Sequence, residues 1–569
     1  MQGVKIGGVP IGSHAFIESF LNAKYAKFDA LATRLEDVAK DTDSAIAWQA
    51  LFGVVSHCVA PSFHHLARSV LPSLFRPFAL RFDARLTLLA LRASGHWGAA
   101  QDSMSAEAAI RDRVVRLPTA WGGLGIQSLA SVVDAAFVGA AALTGPAVKG
   151  LVAETCFTAD TAFRRELIDA LERLHPAIVH PQPPEFVELE GEEEGPEDDH
   201  RPSIEVFKAL SAETIYQASR GRVQAALSSK VACMEAVAVR AAMLEAGDVA
   251  GAARFVDRWQ QGASAWLHAS RKDPRQQLKN AHFRVAVGLL LGINCFPDVQ
   301  QETPCPRCPN VVGPHLQQHM LRCKAVYTGG NNKRHNAVQQ ELLHWFREAG
   351  ANVVCTPGVQ SFTGAEPASA AHAGRMVDLG VCGLDDGPVI AVDLCVSDCG
   401  TGSPPRKFKS GAKSETKGRE KRRKYRQRFP AIPENQLSCP SYGVTGSRNK
   451  EAIVLQKRII NALAAADKTV HRSLVAARVN QAISVAVQRV VAFNILEYRY
   501  TSLPKGRVAA HAQAEPGGAD WDDDEPVVQQ EPEEGAAPGG EPEEGLGQEA
   551  ALSEGDAEGD FVVPLVGGH

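Results

Sequence analysis

The chain has 569 residues, too many for one hydrophobic core, so two to four domains are expected. Apolar content of 45% and charged content of 22% are those of globular protein, and twelve cysteines over this length exclude a disulfide-scaffolded miniprotein. The net charge of −5 hides a segregation: nine acids without a Lys or Arg lie between Pro181 and Asp199, seventeen more follow Arg507, and leaving out both segments gives a body of +21. So basic a body points to a polyanionic partner, nucleic acid above all.

The N-terminal MQGVKIGGVPIGSHAF has no charged segment followed by an apolar run, so no secretory signal is expected. No stretch approaches the roughly 18 uninterrupted apolar residues of a membrane span, and no membrane partner is expected. Residues 1–175 read as helical. In FIESFLNAKYAKFDALATRLEDV, residues Phe16, Phe20, Leu21, Tyr25, Phe28, Leu31 and Leu35 recur at close to helical spacing. RLPTAWGGLGIQSL, Arg116 to Leu129, interrupts the helices with a Pro and a Gly-Gly turn. Residues 176–202, with PQPPEFVELEGEEEGPEDD, have linker composition, and 203–300 again read as helical.

Residues 301–330 hold CPRCPNVVGPHLQQHMLRC, Cys305 to Cys323. Cys305 and Cys308 form a CxxC knuckle that points two thiolates at one ion. His315, His319 and Cys323 follow at i, i+4 and i+8, on one side of a helix. A tetrahedral zinc is completed most economically by His319 and Cys323, with His315 as a spare or as the replacement for His319. Four protein ligands leave no open position, so this zinc is structural and chemistry must lie elsewhere.

Residues 331–505 read as mixed helix and strand. NKRHNAVQQELLHWFREAG, Asn332 to Gly350, carries Val338, Leu342, Leu343, Trp345 and Phe346 on one helical face. Glu341 is either a third acidic ligand for the site described next or a surface residue. In RMVDLGVCGLDDGPVIAVDLCVS, two apolar segments flank the turn signal LDDG, which predicts a β-hairpin. A turn centred between Asp385 and Asp386 sets Asp378 opposite Asp393 and pairs Val377 with Leu394, Leu379 with Val392 and Val381 with Ile390 on the other face. Gly380 opposite Ala391 leaves room above the acids. A turn displaced by one residue would instead place the acids on opposite faces. Facing carboxylates repel, and a hard cation, Mg²⁺ or Mn²⁺, would relieve that repulsion and serve phosphate hydrolysis.

Twelve Lys or Arg against Glu415 and Glu420 fill Arg406 to Arg428. Arg406, Lys407, Lys409, Lys413, Lys417, Arg422, Arg423 and Arg426 are candidate phosphate contacts, and the run also reads as a nuclear localisation signal. Residues 506–569, where EPEEG occurs twice, are expected to be a disordered acidic tail.

In order, a CxxC…H…C knuckle, RHN opening a helix, paired acids on a hairpin and KxxKY resemble the C-terminal half of non-LTR retrotransposon polyproteins with a restriction-like endonuclease of the PD-(D/E)XK type. The tracts GVKIGGVPIGSHAFIESFL and RLPTAWGGLGIQSLASVVDAAFVGAA resemble the post-palm, thumb-like part of such reverse transcriptases. The resemblance implies catalytic roles for Asp378 and Asp393, with Lys421 or Lys424 as the family's displaced lysine. Val377 stands where that motif has Pro, and Cys395 stands two residues after Asp393 where others have Lys. The palm's adjacent aspartates have no counterpart, since Asp385-Asp386 fall in the hairpin turn and Asp522 to Asp524 in the tail. Reverse transcription is therefore not expected from this sequence.

The expectation is an α+β multidomain protein: a helical N-terminal half, a small zinc knuckle, an α/β restriction-endonuclease-like core and a disordered acidic tail. Its expected function is metal-dependent nicking of DNA in the nucleus, with DNA and possibly element RNA as partners. The alternatives are a catalytically decayed nucleic-acid-binding remnant and a zinc-containing scaffold.

Overall fold

A computed structural model describes residues 2–41, 47–100, 105–149, 162–179, 223–260, 262–269, 273–294, 308, 319–321, 323–372, 374–384, 387–399 and 410–502. These belong to one compact unit, Met1–Gly517. The organisation is α+β, mostly helical before residue 294 and mixed after 323. The expected tail and most of the expected linker lie outside the described residues.

A hairpin of β1, Gly3–Ile6, and β2, Val9–Gly12, leads into α1, His14–Lys40. The Ser13 hydroxyl accepts from Phe16 N at 3.4 Å and caps α1. Ile17, Leu21, Phe28 and Ala32 turn inward. Leu31, placed on the expected stripe, is instead 37% exposed. Glu36 takes an inward position because Arg85 and Arg92 both pair with it. Phe63, Phe78 and Phe82 close around Phe28 with ring centroids 4.5 to 6.4 Å apart. Further helices are α2, Trp48–Val54; α3, Pro72–Ala93; α4, Ala106–Arg116; α5, Leu129–Lys149; α6, Ala162–Val179; α7, Val223–Glu245; α8, Val249–Asp257; and α9, Asn280–Leu291. Helices from both sides of the acidic stretch share one core, which joins Leu21, Phe82 and Val133 to Val239, Phe255 and Phe283.

The second half is built on a four-stranded sheet in the order β3, Asn352–Cys355; β4, Leu379–Cys382; β5, Ile390–Val392; β7, Leu437–Ser438. The first three strands are antiparallel and β7 runs parallel to β5. A parallel pair continues it, β6, Cys395–Ser397, beside β8, Ser441–Gly443. One face packs on α10, Lys324–Glu348, α12, Lys450–Ala466, and α13, Arg472–Ser502, through Leu379, Val381, Ile390, Val392 and Leu394. The other face packs on α11, Ala412–Arg428, through Ala391, Tyr425 and Phe429. The segment Arg472–Glu497 is long and apolar enough to cross a bilayer, and 72% of its apolar window is buried within the fold, as in a core helix.

A buried polar junction ties α8 to the second half. Arg254 makes two hydrogen bonds to Asp398, at 3.1 and 2.9 Å. The Asp257 carboxylate accepts from Gly411 N at 3.0 Å, Thr445 Oγ1 at 2.5 Å and Ser447 Oγ at 2.6 Å. The Gln260 side chain bonds both the carbonyl and the N–H of Arg448. Gly411, with φ 69°, begins α11 in the left-handed region, so Asp257 fixes where that helix starts.

Candidate active site

The hairpin pairs Leu379 with Val392, Gly380 with Ala391 and Val381 with Ile390. Extending that register by one residue sets Asp378 opposite Asp393. The turn is closed by Gly387 N donating to Leu384 O at 3.0 Å; Asp385 and Asp386 lie outside the described residues. The carboxyls of Asp378 and Asp393 lie close enough for Asp378 to push the Asp393 carboxyl up.

Two details differ from the expected face pattern. Val377 packs with Ala391 and Tyr425 on the aspartate side, away from Leu394. The chain bends at Asp378, opposite the left-handed Thr356 of φ 48°, whose N–H donates to Asp378 O at 3.0 Å. This bend breaks the strict alternation of faces. The space over Gly380 is also filled: a Cβ there would meet the Phe362 ring at 2.5 Å. Glycine is needed because the ring lies on the strand.

Four elements close on the acids. From α11, Lys421 Nζ lies 2.9 Å from Asp393 Oδ2 and donates to Leu394 O at 2.5 Å. From α10, His335 Nε2 lies 2.9 Å from Asp378 Oδ2, and the Gln339 amide donates to Asp378 O at 3.0 Å. From the strand itself, Leu394 N donates to Asp378 Oδ2 at 2.7 Å. Toward β7, Asp393 N donates to Ser438 O at 3.0 Å. Tyr425, one turn after Lys421, is buried and donates to Met376 O at 3.2 Å, which seats α11 against the strand carrying Asp378.

The two acids are driven apart electrostatically. Burial raises Asp393, and the neighbouring Asp378 charge adds to this despite Lys421. Burial also opposes ionisation of Asp378, but the hydrogen bond and charge of His335, the Lys421 charge and the Leu394 N–H outweigh it and hold that group below the usual range. His335 is raised in turn because Asp378 outweighs its burial. The two carboxyls are thereby pushed in opposite directions, Asp378 down and Asp393 up, as expected for like charges set close together.

Lys424 is exposed and is not brought to the pair. Three residues from Lys421 it points off the sheet-facing side of the helix, where Tyr425 sits. Glu341 is neither a third ligand nor a surface residue. It is buried, its carboxyl pushed up by desolvation, in surroundings that include Trp345, Arg275, Arg489 and Asp273. His335 and Gln339 have no role in the sequence reading beyond the RHN tract. Their only local signal is the i, i+4 spacing on one helix face.

Among the basic candidates, Lys413, Lys417, Arg422, Arg423 and Arg426 are on α11, while Arg406, Lys407 and Lys409 lie outside the described residues. Arg422 is held within the fold, paired with Glu451 at 2.7 Å and donating to Leu437 O at 2.7 Å.

Cys308 Sγ, His319 Nε2 and Cys323 Sγ lie within 4.8 Å of one another, a cluster that could hold a metal ion. Cys308 Sγ and His319 Nε2 are 3.3 Å apart. Cys323 is buried and sits at the N-cap of α10. Cys305 and His315 lie outside the described residues, so the described cluster contains His319. Two sulfurs and one imidazole form a soft donor set of the kind that suits transition metals. The cluster anchors the start of the helix whose fourth turn delivers His335, about 18 Å further along at 1.5 Å per residue.

In comparisons with known proteins, no family model matches this chain and no curated protein matches it.

Proposed function

We propose that this protein is a metal-dependent DNA endonuclease, the target-nicking part of a retrotransposon-derived protein, with a restriction-endonuclease-like core acting in the nucleus. The observation that carries this is the convergence of Asp378, Asp393 and Lys421 from two antiparallel strands and a separate helix. Neither hydrophobic burial nor helix capping requires two carboxyls to lie so close. Asp378 and Asp393 would hold Mg²⁺ or Mn²⁺, which would supply charge neutralisation and polarisation of the scissile phosphate. Lys421 keeps its amine beside Asp393, where it steadies phosphate charge. His335 orients Asp378 and holds it ionised. Zinc at Cys308, His319 and Cys323, with Cys305 as the fourth ligand, would stiffen the approach to α10. DNA, and possibly the element's RNA, would be the partner.

Purified protein incubated with supercoiled plasmid and Mg²⁺ should convert it to the nicked form, and the Asp378→Ala and Asp393→Ala variants should not. Equal nicking by wild type and both variants would sink the enzyme reading. Metal analysis should find zinc in the wild type and its loss in Cys323→Ser; a metal-free wild type would remove the zinc reading.

A catalytically decayed nucleic-acid-binding remnant is the second reading. It is favoured by the Lys421 amine and His335 ring already engaging the carboxylates, and by Val377 in place of Pro. It predicts salt-dependent DNA binding without cleavage at any divalent-ion concentration.

A further inference from the structure

We infer that the outer flank of α11 is a phosphate-binding groove that grips a stretch of nucleic-acid backbone separate from the one at the acid pair. This rests on the nucleic-acid partner proposed above, though not on cleavage. The groove has an open volume of about 370 Å³ and is lined by Arg419, Arg422, Arg423, Arg426 and Gln427. Its lining runs along about 12 Å of helix at 1.5 Å per residue, longer than a single small ion requires.

Helical geometry separates the groove from the acids. At about 100° per residue, Lys421, Tyr425 and Phe429 fall on the sheet-facing side. Arg419, Arg422, Arg423 and Arg426 fall together on one outer flank. Lys413, Lys417 and Lys424 fall on the other flank, where together they hold the Glu420 carboxyl low, Lys417 most strongly. Four of the five arginines on α11 thus share one flank and three lysines the other, while Arg428, in the last turn, falls on the lysine flank. A solvated basic face needs no such sorting. Guanidinium forks match phosphate in a bidentate way that point-charge ammonium groups do not.

The acids beside the groove act as placeholders. Glu451 fixes Arg422 at 2.7 Å, and Glu434 pairs with Arg426. Glu415 stands 3.7 Å from Arg419. Arg423 has no acid within ion-pair distance among the described residues. The Arg419 and Arg426 side chains are 71% and 51% exposed. Pairs so exposed contribute little, so an arriving phosphate displaces the carboxylates at small cost. Arg422 stays as the fixed wall.

The test uses the full chain and a fluorescently labelled duplex of arbitrary sequence, titrated over a range of salt without added Mg²⁺. The triple variant Arg419→Gln, Arg423→Gln, Arg426→Gln leaves Arg422 and its structural pair intact. Its log affinity against log salt should be shallower by about 0.9 for each phosphate no longer neutralised, and binding weaker by roughly tenfold or more at physiological salt. The matching triple to Lys should keep most of the slope and lose part of the affinity. A Gln triple that melts like wild type and keeps both slope and affinity overturns the groove. So does a Lys triple indistinguishable from wild type, which would reduce it to a diffuse charge field. Wild-type protein that fails to bind duplex at any salt overturns the groove and the nucleic-acid reading together, whereas absence of nicking leaves the groove standing.

Discussion

Buried aspartates occur in both halves of the molecule, and they are treated in opposite ways. In the helical half, Asp83 on α3 accepts from Ser128 Oγ at 2.6 Å, Leu129 N at 2.8 Å and Ala130 N at 3.0 Å. It supplies the first turn of α5 with acceptors that the helix cannot provide for itself. Asp257 and Asp398 are likewise surrounded by donors. Asp378 and Asp393 are instead set against each other, and Lys421 and His335 from two other helices engage them. An acid satisfied by neutral donors or a dedicated arginine is architecture. Two acids set close together are a configuration that folding alone would avoid, which is why the proposed chemistry is placed there.

Neutralising either member of the facing pair should divide the two classes most sharply. Asp378→Asn and Asp393→Asn should reduce nicking by on the order of 10²-fold or more while thermal stability stays level or rises, because like-charge repulsion is removed. A large fall in melting temperature with nicking intact would place the pair among the architectural acids. Asp398→Asn should do the reverse: stranding Arg254 in the interior costs about 3–5 kcal/mol, seen as a lower midpoint in urea. Unchanged stability there would break the comparison from the other side. Asp83→Ala should cost roughly 1–3 kcal/mol for the donors left unsatisfied, with nicking per folded molecule unaltered.

The last test concerns pH. Burial lowers His96 to about 3, and its Nε2 hydrogen-bonds to Arg284 O at 2.9 Å. Its folded pKa lies below its unfolded value of 6.5. Stability is therefore fully present above 6.5 and declines as pH falls toward about 3, by about 1.4 kcal/mol per unit. His96→Gln should flatten the acid limb of a melting-temperature profile between neutrality and pH about 5. An unchanged limb would assign the acid sensitivity to other groups, His268 and His282 among them, both lowered by burial to about 4.

Much of the local structure was legible in the chain. Apolar spacing gives α1 and the 332–350 part of α10, and the LDDG turn fixes the hairpin register because side chains alternate with a period of two. Lys421 and Lys424 could not be separated by spacing. That choice depends on which side of α11 meets the sheet, and Tyr425 and Phe429 decide it by burying against Ala391. His335 was illegible as a partner of Asp378 because 43 residues separate them and no periodicity spans a loop.

By itself the sequence determined the elements, the segregation of charge, the candidate metal ligands and the opposition of Asp378 to Asp393, since all of these follow from composition and short-range periodicity. Only the tertiary structure decided that Lys421 and His335 engage the pair, that Phe362 covers Gly380, and that Asp257 sets the start of α11. Those contacts join residues from 18 to 154 positions apart, and packing between elements, which local pattern does not encode, brings them together.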